Sequence, residues 1–360
     1  MMSPGRFFGL VTFLAVAGGL TAQSGSLRGP LAGYVYDHAE RAIRPIMGVP
    51  GASYLDQPVV SELDFASVSP HGDSALVVAA KQLYLLTGLG TGQPRWQPLE
   101  KAGVSLAAWS EDANSAVVYC AESGTMRLWS GLDAGAPSGS PARLSPRGRS
   151  GGGRQGGGQD GPRRVELVGL EQRGGVVRAV AVNNRGQVVA GVADDAAGGL
   201  YLLNHSLAPR LIASIERPGG VVLAGNGADL YAADRGRSEV LEIRNFAGAA
   251  DIVQFAGPDR GVRDPVAVGV SRDGGSLLVA SAERTLTTFN LASRSPTARI
   301  ELDFEPTALG RLGGGELWLL NSRESSGGVL RMATDEGRPR VYFVPSPGAG
   351  SGAGIPALVR

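Results

Sequence analysis

Phe65 to Leu86, reading FASVSPHGDSALVVAAKQLYLL, contains a pattern that returns five more times along the chain. Small apolar residues, Ala66 to Val68, lead into a polar turn, Ser69 to Asp73. Two further extended runs follow, first Ala75 to Ala80 and then Gln82 to Leu86. Because the copies recur at roughly forty-residue spacing, the pattern predicts the four-stranded blades of a β-propeller. The later copies begin at Ser105, Val177, Gly219, Asp264 and Glu305.

The composition is that of a folded protein rich in tight turns. Hydrophobic residues make up 43% of the 360 residues and charged residues 19%, which is too apolar for a disordered chain, and 55 glycines argue against a helical protein. The 34 lysines and arginines nearly balance the 33 aspartates and glutamates, so no global charge favours nucleic acid or an acidic membrane. Cys120 is the only cysteine, which excludes an intramolecular disulfide and favours a buried thiol on a strand.

The number of blades depends on how the N-terminal residues are interpreted. Each of the six copies starts with small side chains, as expected where the innermost strands of a propeller converge on its axis. Two further extended runs, Gly33 to Asp37 and Ala42 to Met47, resemble the third and fourth strands of a blade that lacks its first two. We therefore expect an all-β propeller of four-stranded blades over residues 30–346, with six blades favoured and seven possible. A flexible tail is expected over residues 347–360.

The N-terminus has the layout of a secretory signal peptide. Arg6 precedes an apolar run from Phe7 to Ala17, and small residues precede Gln23. The apolar run is shorter than the roughly 20 residues that span a bilayer, which argues against a permanent anchor. We expect cleavage near Ala22, so that residues 1–22 are removed. The mature protein is then expected to be extracytoplasmic, either periplasmic or secreted, monomeric, and without a stable membrane span.

One segment interrupts the repeat. Residues 132–164 are dominated by Gly, Ser, Pro and Arg and cannot bury enough apolar surface to order themselves, so a disordered Gly/Arg-rich insertion is predicted. It separates the third strand of its blade, Met126 to Trp129, from the expected fourth strand, Val165 to Leu170. Arginines among glycines also occur in RGG segments that bind nucleic acid. In an exported protein a solvated loop is the favoured interpretation, and no nucleic-acid partner is expected.

Several stretches resemble the repeats of known propeller families. The turn Ser69-Pro70-His71-Gly72-Asp73 resembles the SPDG turn of WD40-like and TolB-like repeats, and Met126 to Ser130 is similar to the third strand of WD40 units. Gly227 to Asn245, which contains Asp229 to Asp234, resembles an NHL repeat, and Asp264 to Leu291 looks like the YVTN and lactonase-like repeats of exported bacterial propellers. These resemblances imply an exported bacterial β-propeller that binds ligands at the rim of its channel. They do not select a function, because the families include scaffolds, peptide binders and enzymes.

Charged residues occupy the turns between the second and third strands of the copies. Strand alternation places all of these turns on one rim of a propeller, around the mouth of its central channel. They are either ordinary solvated turns or a binding rim, since loops on a rigid scaffold often carry binding residues. The binding-rim candidates are Asp194, Asp195, Asp234, Arg235, Glu283, Arg284, Arg323 and Glu324.

Two functions remain open. The favoured one is a binding or scaffold module for a protein, peptide or glycan, because the sequence contains no nucleophile-elbow, zinc-protease or phosphate-loop motif. Its three histidines, His38, His71 and His205, show no ligand spacing, so no cofactor and no catalytic residue is predicted. The alternative is a lactonase-like hydrolase or another propeller enzyme with a divalent metal at the channel mouth. Calcium would need carboxylates such as Asp234 and Glu283, but arginines beside these turns disfavour a cation.

Overall fold

The computed structural model describes residues 29–132, 161–167, 175–193, 198–205, 208–313, 317–322, 330–334 and 339–345. These residues form 27 strands in seven antiparallel sheets, with short 3₁₀ turns such as Leu89–Thr91 and Pro258–Arg260 between them. No helix within this part of the chain is long and apolar enough to cross a membrane. The predicted signal peptide (1–22) and tail (347–360) lie outside the described residues.

Each sheet is one blade, and its strands follow one another in chain order. Blade 1 has three strands, β1 (Leu31–Asp37), β2 (Ala42–Met47) and β3 (Tyr54–Leu55). Blade 2 consists of β4 (Phe65–Val68), β5 (Ser74–Ala79), β6 (Gln82–Thr87) and β7 (Arg95–Lys101). Blade 3 consists of β8 (Leu106–Trp109), β9 (Ser115–Cys120), β10 (Thr125–Ser130) and β11 (Arg163–Leu167).

The other four blades each have four strands. Blade 4 consists of β12 (Val176–Val182), β13 (Val188–Ala193), β14 (Gly198–Leu203) and β15 (Arg210–Ile215). Blade 5 consists of β16 (Pro218–Leu223), β17 (Leu230–Asp234), β18 (Glu239–Arg244) and β19 (Asp251–Ala256). Blade 6 consists of β20 (Pro265–Val270), β21 (Ser276–Ser281), β22 (Thr285–Asn290) and β23 (Pro296–Glu301). Blade 7 consists of β24 (Pro306–Leu312), β25 (Leu317–Ser322), β26 (Leu330–Thr334) and β27 (Val341–Val344).

The first strands of the blades surround a central channel, and the blades pack side by side in a ring. β1 contacts β4 of the next blade and β24 of the last blade, which closes the ring. The expected all-β propeller is therefore confirmed, with seven blades, the number left possible, in place of the favoured six. Leu31–Asp37 and Ala42–Met47 are the first and second strands of blade 1, so their prediction as third and fourth strands was wrong.

A buried ion pair explains why blade 1 was misread. Asp37 and Arg44 lie on its first two strands with 5% of each side chain exposed, and Nη1 of Arg44 lies 3.2 Å from Oδ2 of Asp37. Asp37 also accepts the backbone N–H of Ala39, and Nε of Arg44 donates to the carbonyl of Asp56. Charges with partners of this kind can be buried. In a sequence, however, they are typical of an exposed outer strand.

The polar turn of Ser69 to Asp73 has a hydrogen-bond pattern that accounts for its recurrence. Oγ of Ser69 donates to Oδ1 of Asp73 over 3.1 Å and accepts the backbone N–H of Ser74 over 3.3 Å. Ser110 in blade 3 and Ser271 in blade 6 make the same two kinds of bond with an aspartate two residues on and a serine five residues on. These turns therefore satisfy their own polar groups where a first strand ends.

Second strands are buried on both faces because a neighbouring blade covers each side. Every residue of Ser115–Cys120 and of Leu230–Asp234 is buried, including Cys120, the predicted buried thiol. Large apolar side chains such as Phe255 and Phe289 fill the space between blades 5 and 6. Burial of apolar surface stabilises a fold by about 25 cal/mol per Å². Side-chain packing between sheets therefore holds the ring together.

Leu132 and residues 161–164, at the two ends of the predicted insertion, belong to the described part of the chain. Leu132 is buried against the cluster between blades 2 and 3, and β11 begins at Arg163, which pairs with Ser130 of β10. The fourth strand of this blade thus starts two residues before the predicted Val165. Residues 133–160 lie outside the described part of the chain.

The ring closes between blades that come from opposite ends of the propeller sequence. Val35, Ile46 and Leu55 of blade 1 form one buried cluster with Leu312 and Val344 of blade 7. The backbone N–H of Leu55 also donates to the carbonyl of Pro345 over 2.9 Å. The described strands of blade 1 all precede residue 56 and those of blade 7 all follow residue 305, so closure depends on contact between two complete sheets.

Candidate functional site

The central channel has two mouths. The upper mouth is surrounded by the turns between first and second strands, and the lower mouth by the turns between second and third strands. A cavity of about 450 Å³ opens at the upper mouth, and a cavity of about 410 Å³ at the lower mouth. Both volumes fall in the range of small-ligand sites. The side chains at each mouth therefore decide what the channel can bind.

The part of the upper-cavity wall that the first strands form is mainly apolar. These strands converge on the channel and carry small or branched aliphatic side chains. Because these strands are hydrogen-bonded within rigid sheets, the wall has a fixed shape before any ligand arrives. The residues that form it on blades 3 to 7 include Ala108, Val180, Val222, Val268 and Leu309.

Arg311 is a constrained cation at the upper mouth. Its Nη2 donates to the carbonyl of Val270 in blade 6 over 2.5 Å, and its guanidinium lies 5.5 Å from the ring centroid of Trp318. Its Nη1 lies 3.7 Å from Oε1 of Glu111, which follows the first strand of blade 3. Blades 3 and 7 stand on opposite sides of the ring, so this ion pair crosses the mouth.

Two tryptophans complete the upper cavity. Trp109 ends β8, and its Nε1 donates to the carbonyl and to Oγ of Ser67 in blade 2, both over 3.2 Å. Trp318 is 3% exposed and packs against Gly269, where a Cβ atom would lie 2.5 Å from Cζ3 of the indole. Glycine at position 269 is thus required by the close approach of Trp318. Both rings are fixed by neighbouring blades.

Hydrogen bonds between blades stiffen the upper rim. The buried amide of Asn183 in blade 4 donates to the carbonyl of Gly227 in blade 5 over 2.8 Å. The side-chain oxygen of Asn184 accepts the backbone N–H of Asp112 in blade 3 over 3.2 Å. Arg185 follows these two asparagines and lines the same cavity with an exposed side chain. The rim is therefore a preformed surface with the exposed side chain of Arg185 at its outer edge.

At the lower mouth, Asp234 has a structural position. Its side chain is fully buried, and its carboxylate accepts backbone N–H groups of Glu216, Arg217, Gly236 and Arg237 over 2.9 to 3.3 Å. A carboxylate that accepts several backbone N–H groups fixes the conformation of the loops around it. Asp234 therefore ties the turn after β17 to the loop before β16 and does not face the channel.

Arg235 is held by an ion pair between blades. Its Nε and Nη2 donate to the two carboxylate oxygens of Asp264 over 2.7 and 2.8 Å, and Nη2 of Arg217 approaches Oδ1 of Asp264 over 3.3 Å. The hydrogen bond to Asp264 raises the pKa of Arg235 further above its ordinary value. Arg235 nevertheless lines the lower cavity together with Arg178 and Glu305.

The other predicted rim residues are less constrained or are not described. Glu283 and Arg284 lie exposed in the turn between β21 and β22. The carbonyl of Arg284 accepts the backbone N–H of Leu302 over 2.7 Å, which fixes its backbone and leaves its side chain in solvent. The remaining four candidates, Asp194, Asp195, Arg323 and Glu324, lie outside the described residues.

The carboxylates considered for calcium are not gathered in the described part of the structure. Within that part, no group of three or more His, Cys, Asp or Glu side chains is placed to hold a metal ion. Asp234 is occupied by backbone N–H groups, while Glu283 is exposed in its turn. The metal-dependent alternative stays a prediction.

The residues of the upper cavity were not predicted from the sequence, although two of them are unusually large or charged for a first strand. Trp109 ends the first strand of its copy, where the corresponding positions are Val68 and Val270. Arg311 is likewise a charged residue inside a strand whose counterparts carry small side chains. A large or charged side chain on an innermost strand lies close to the channel or against the neighbouring blade, as Trp109 does against blade 2. Arg178 in β12 is a third exception and lines the lower cavity, so these residues marked the channel but not which of its mouths to prefer.

Comparison with known proteins supports the architecture alone. No protein-family model and no curated protein matches the sequence. A functionally unknown protein from Desulfotomaculum acetoxidans DSM 771 aligns with a TM-score of 0.56 at 13% identity, covering 88% of this chain and 100% of that one. A protein from Lactobacillus plantarum aligns with a TM-score of 0.55 at 12% identity, covering 88% and 96%. At such low identity the similarity establishes a shared fold and carries no statement about ligands.

Proposed function

We propose that the protein is a binding module that holds part of its partner, a peptide, protein or glycan, in the upper cavity of the channel. The observation that carries this proposal is the preformed pocket of about 450 Å³, with aliphatic first-strand residues in its wall and the fixed ring of Trp109 at its mouth. Aromatic side chains held in place provide a large contact area at little entropic cost. The prediction from sequence favoured the lower rim, but there Asp234 and Arg235 are already engaged by Glu216, Arg217 and Asp264.

Blocking one mouth at a time tests this proposal. Gly225 lies at the upper mouth, and a Cβ atom there would meet no heavy atom within 4 Å, so Gly225→Cys should fold normally. Because Cys120 is buried, a bulky maleimide should label only the new thiol. The matched control is Glu283→Cys at the lower rim, labelled in the same way.

The readout is binding to a hexapeptide library and to a glycan array before and after labelling. We expect the block at Gly225→Cys to abolish the binding found with the native protein, and the block at Glu283→Cys to leave it unchanged. The opposite result would assign binding to the lower rim, as the sequence predicted. Binding that survives both blocks would exclude the channel mouths altogether.

We also propose that this module works outside the cytoplasm. The support is the arrangement of Arg6 and the apolar run from Phe7 to Ala17 in front of small residues. N-terminal sequencing of protein from its native host should find a chain that starts close to Gln23. A cytoplasmic protein that retains Met1 would contradict the proposal.

A further inference from the structure

We propose that the upper cavity selects ligands that carry a carboxylate on an apolar group, with Arg311 binding the carboxylate and the channel wall binding the apolar part. This inference rests on the proposed function, because it assumes that the upper cavity is the binding site. It adds the chemical class of the ligand and the residue that recognises it.

Arg311 is oriented for an incoming anion before the anion arrives. Its Nη2 is fixed by the carbonyl of Val270, and its plane is supported by Trp318. Within the described part of the chain, the ion-pair partner of Nη1 is Glu111 at 3.7 Å, a distance that exceeds hydrogen-bond length. With 22% of the side chain exposed, the guanidinium is partly shielded from water, and this strengthens an ion pair made at that point. An arginine that is already immobilised loses little further entropy when it binds a carboxylate.

Glu111 is a weak internal competitor for this position. Its side chain is 49% exposed and belongs to a turn on the opposite side of the mouth. A ligand carboxylate that displaced it would replace one long ion pair by a close one. Arg185 and Arg311 contribute two positive charges to the cavity lining, and Glu111 contributes one negative charge. The net charge of these three residues is therefore +1, which matches a single negative charge on the ligand. A phosphate dianion would leave excess negative charge next to Glu111.

The apolar residues of the wall indicate that the ligand carries an apolar group in addition to its carboxylate. The cavity volume of about 450 Å³ is large for a carboxylate alone, and the partly exposed Val180 and Val222 offer no hydrogen-bond donor from their side chains. A hydrocarbon or aromatic group of the ligand can displace water from this wall and gain the energy of apolar burial. Both a small aromatic or aliphatic acid and the C terminus of a peptide with an apolar last residue have this chemistry.

Calorimetric titration with matched probes tests the inference. The small probes are phenylpropionate and phenylpropionamide, and the peptide probes are an acetylated tetrapeptide ending in phenylalanine with a free or an amidated C terminus. We expect each carboxylate to bind the native protein at least about tenfold more tightly than its amide, as a charge-assisted bond should. Tighter binding of the free tetrapeptide than of phenylpropionate would identify a peptide C terminus as the natural source. The reverse order would identify a small acid.

Three variants locate the carboxylate. Arg311→Gln should remove the preference for carboxylate over amide while leaving amide binding unchanged. Arg178→Gln, a matched change that lines the lower cavity, should keep the preference. Glu111→Gln should strengthen carboxylate binding severalfold, since it removes the competitor. That increase would test the role of Arg311 even if Arg311→Gln failed to fold.

The results separate this inference from the proposed function. Equal binding of acids and amides, both abolished by the label at Gly225→Cys, would overturn the inference and leave the proposed function standing. Probe binding that this label does not affect would overturn both. An absence of binding of either carboxylate to the native protein, or an equal loss in Arg178→Gln and Arg311→Gln, would also overturn the inference.

Discussion

Replacement of Asp234 by alanine tests whether this residue is part of the fold or part of a binding rim. The carboxylate is fully buried and accepts four backbone N–H groups, the shortest of them from Gly236 over 2.9 Å. A buried donor left without a partner costs about 1–3 kcal/mol, and water can reach part of this loop from the exposed side of Gly236. Asp234→Ala should therefore lower the free energy of unfolding by about 3–5 kcal/mol.

Urea unfolding followed by circular dichroism measures this change. Asp259→Ala is the matched control, because its side chain is 73% exposed and its nearest cation, Arg260, is 3.7 Å away. That control should change the free energy of unfolding by less than about 1 kcal/mol. If Asp234→Ala were no more destabilised than Asp259→Ala and yet lost ligand binding, Asp234 would belong to a binding rim and the structural assignment would be refuted.

Three further predictions follow from the described contacts. Burial raises the pKa of Tyr231 from its ordinary value of 10.0 to about 12, so the stabilising contribution of this residue is complete below pH 10 and is lost as the pH rises toward 12. Alkaline unfolding curves of Tyr231→Phe should lack that loss. Gly269→Ala should destabilise the protein by about 1–3 kcal/mol through collision with the indole on β25. Gly310→Ala should change the melting temperature little, because its Cβ would meet nothing within 4 Å. Deletion of residues 139–160 should leave the melting temperature nearly unchanged, since loop-closure entropy varies slowly with length and the strands on either side are paired; a large fall would contradict this.

The propeller could be predicted from sequence because its determinants are local and repeated. The turn from Ser69 to Asp73 closes its own hydrogen bonds, and the same chemistry returns at Ser110 and Ser271. Blade 1 escaped correct assignment because its two charged residues pair across the hairpin between β1 and β2. Asp37 and Arg44 become acceptable inside a sheet only when they meet one another, and a hydrophobicity pattern cannot show that meeting.

The candidate site was harder to predict because ring closure assembles it. Glu111 and Arg311 are far apart in the sequence and face each other only once seven blades close the circle. A ring with another number of blades would have placed them differently. The charges of Asp234 and Arg235 suggested a binding site in the sequence. In the structure both side chains are hydrogen-bonded to other residues of the protein, so a charged residue in a turn is weak evidence for a ligand site. Trp109 was informative, because it is a large aromatic residue at a first-strand position where other blades carry valine.

Blades 1 and 7 come from opposite ends of the propeller sequence, so the propeller is a linear series of separate blades whose first and last members meet. No described sheet takes strands from both ends of the chain. A circular permutant that joins the ends of the propeller and opens between Lys101 and Leu106 would therefore keep every described sheet whole. In the same way, duplication or loss of one module would alter the angle between neighbours and the width of the channel, while each sheet stayed as it is. Channel width, and with it the size of what can enter, is thus open to change by gene rearrangement without any substitution in a strand.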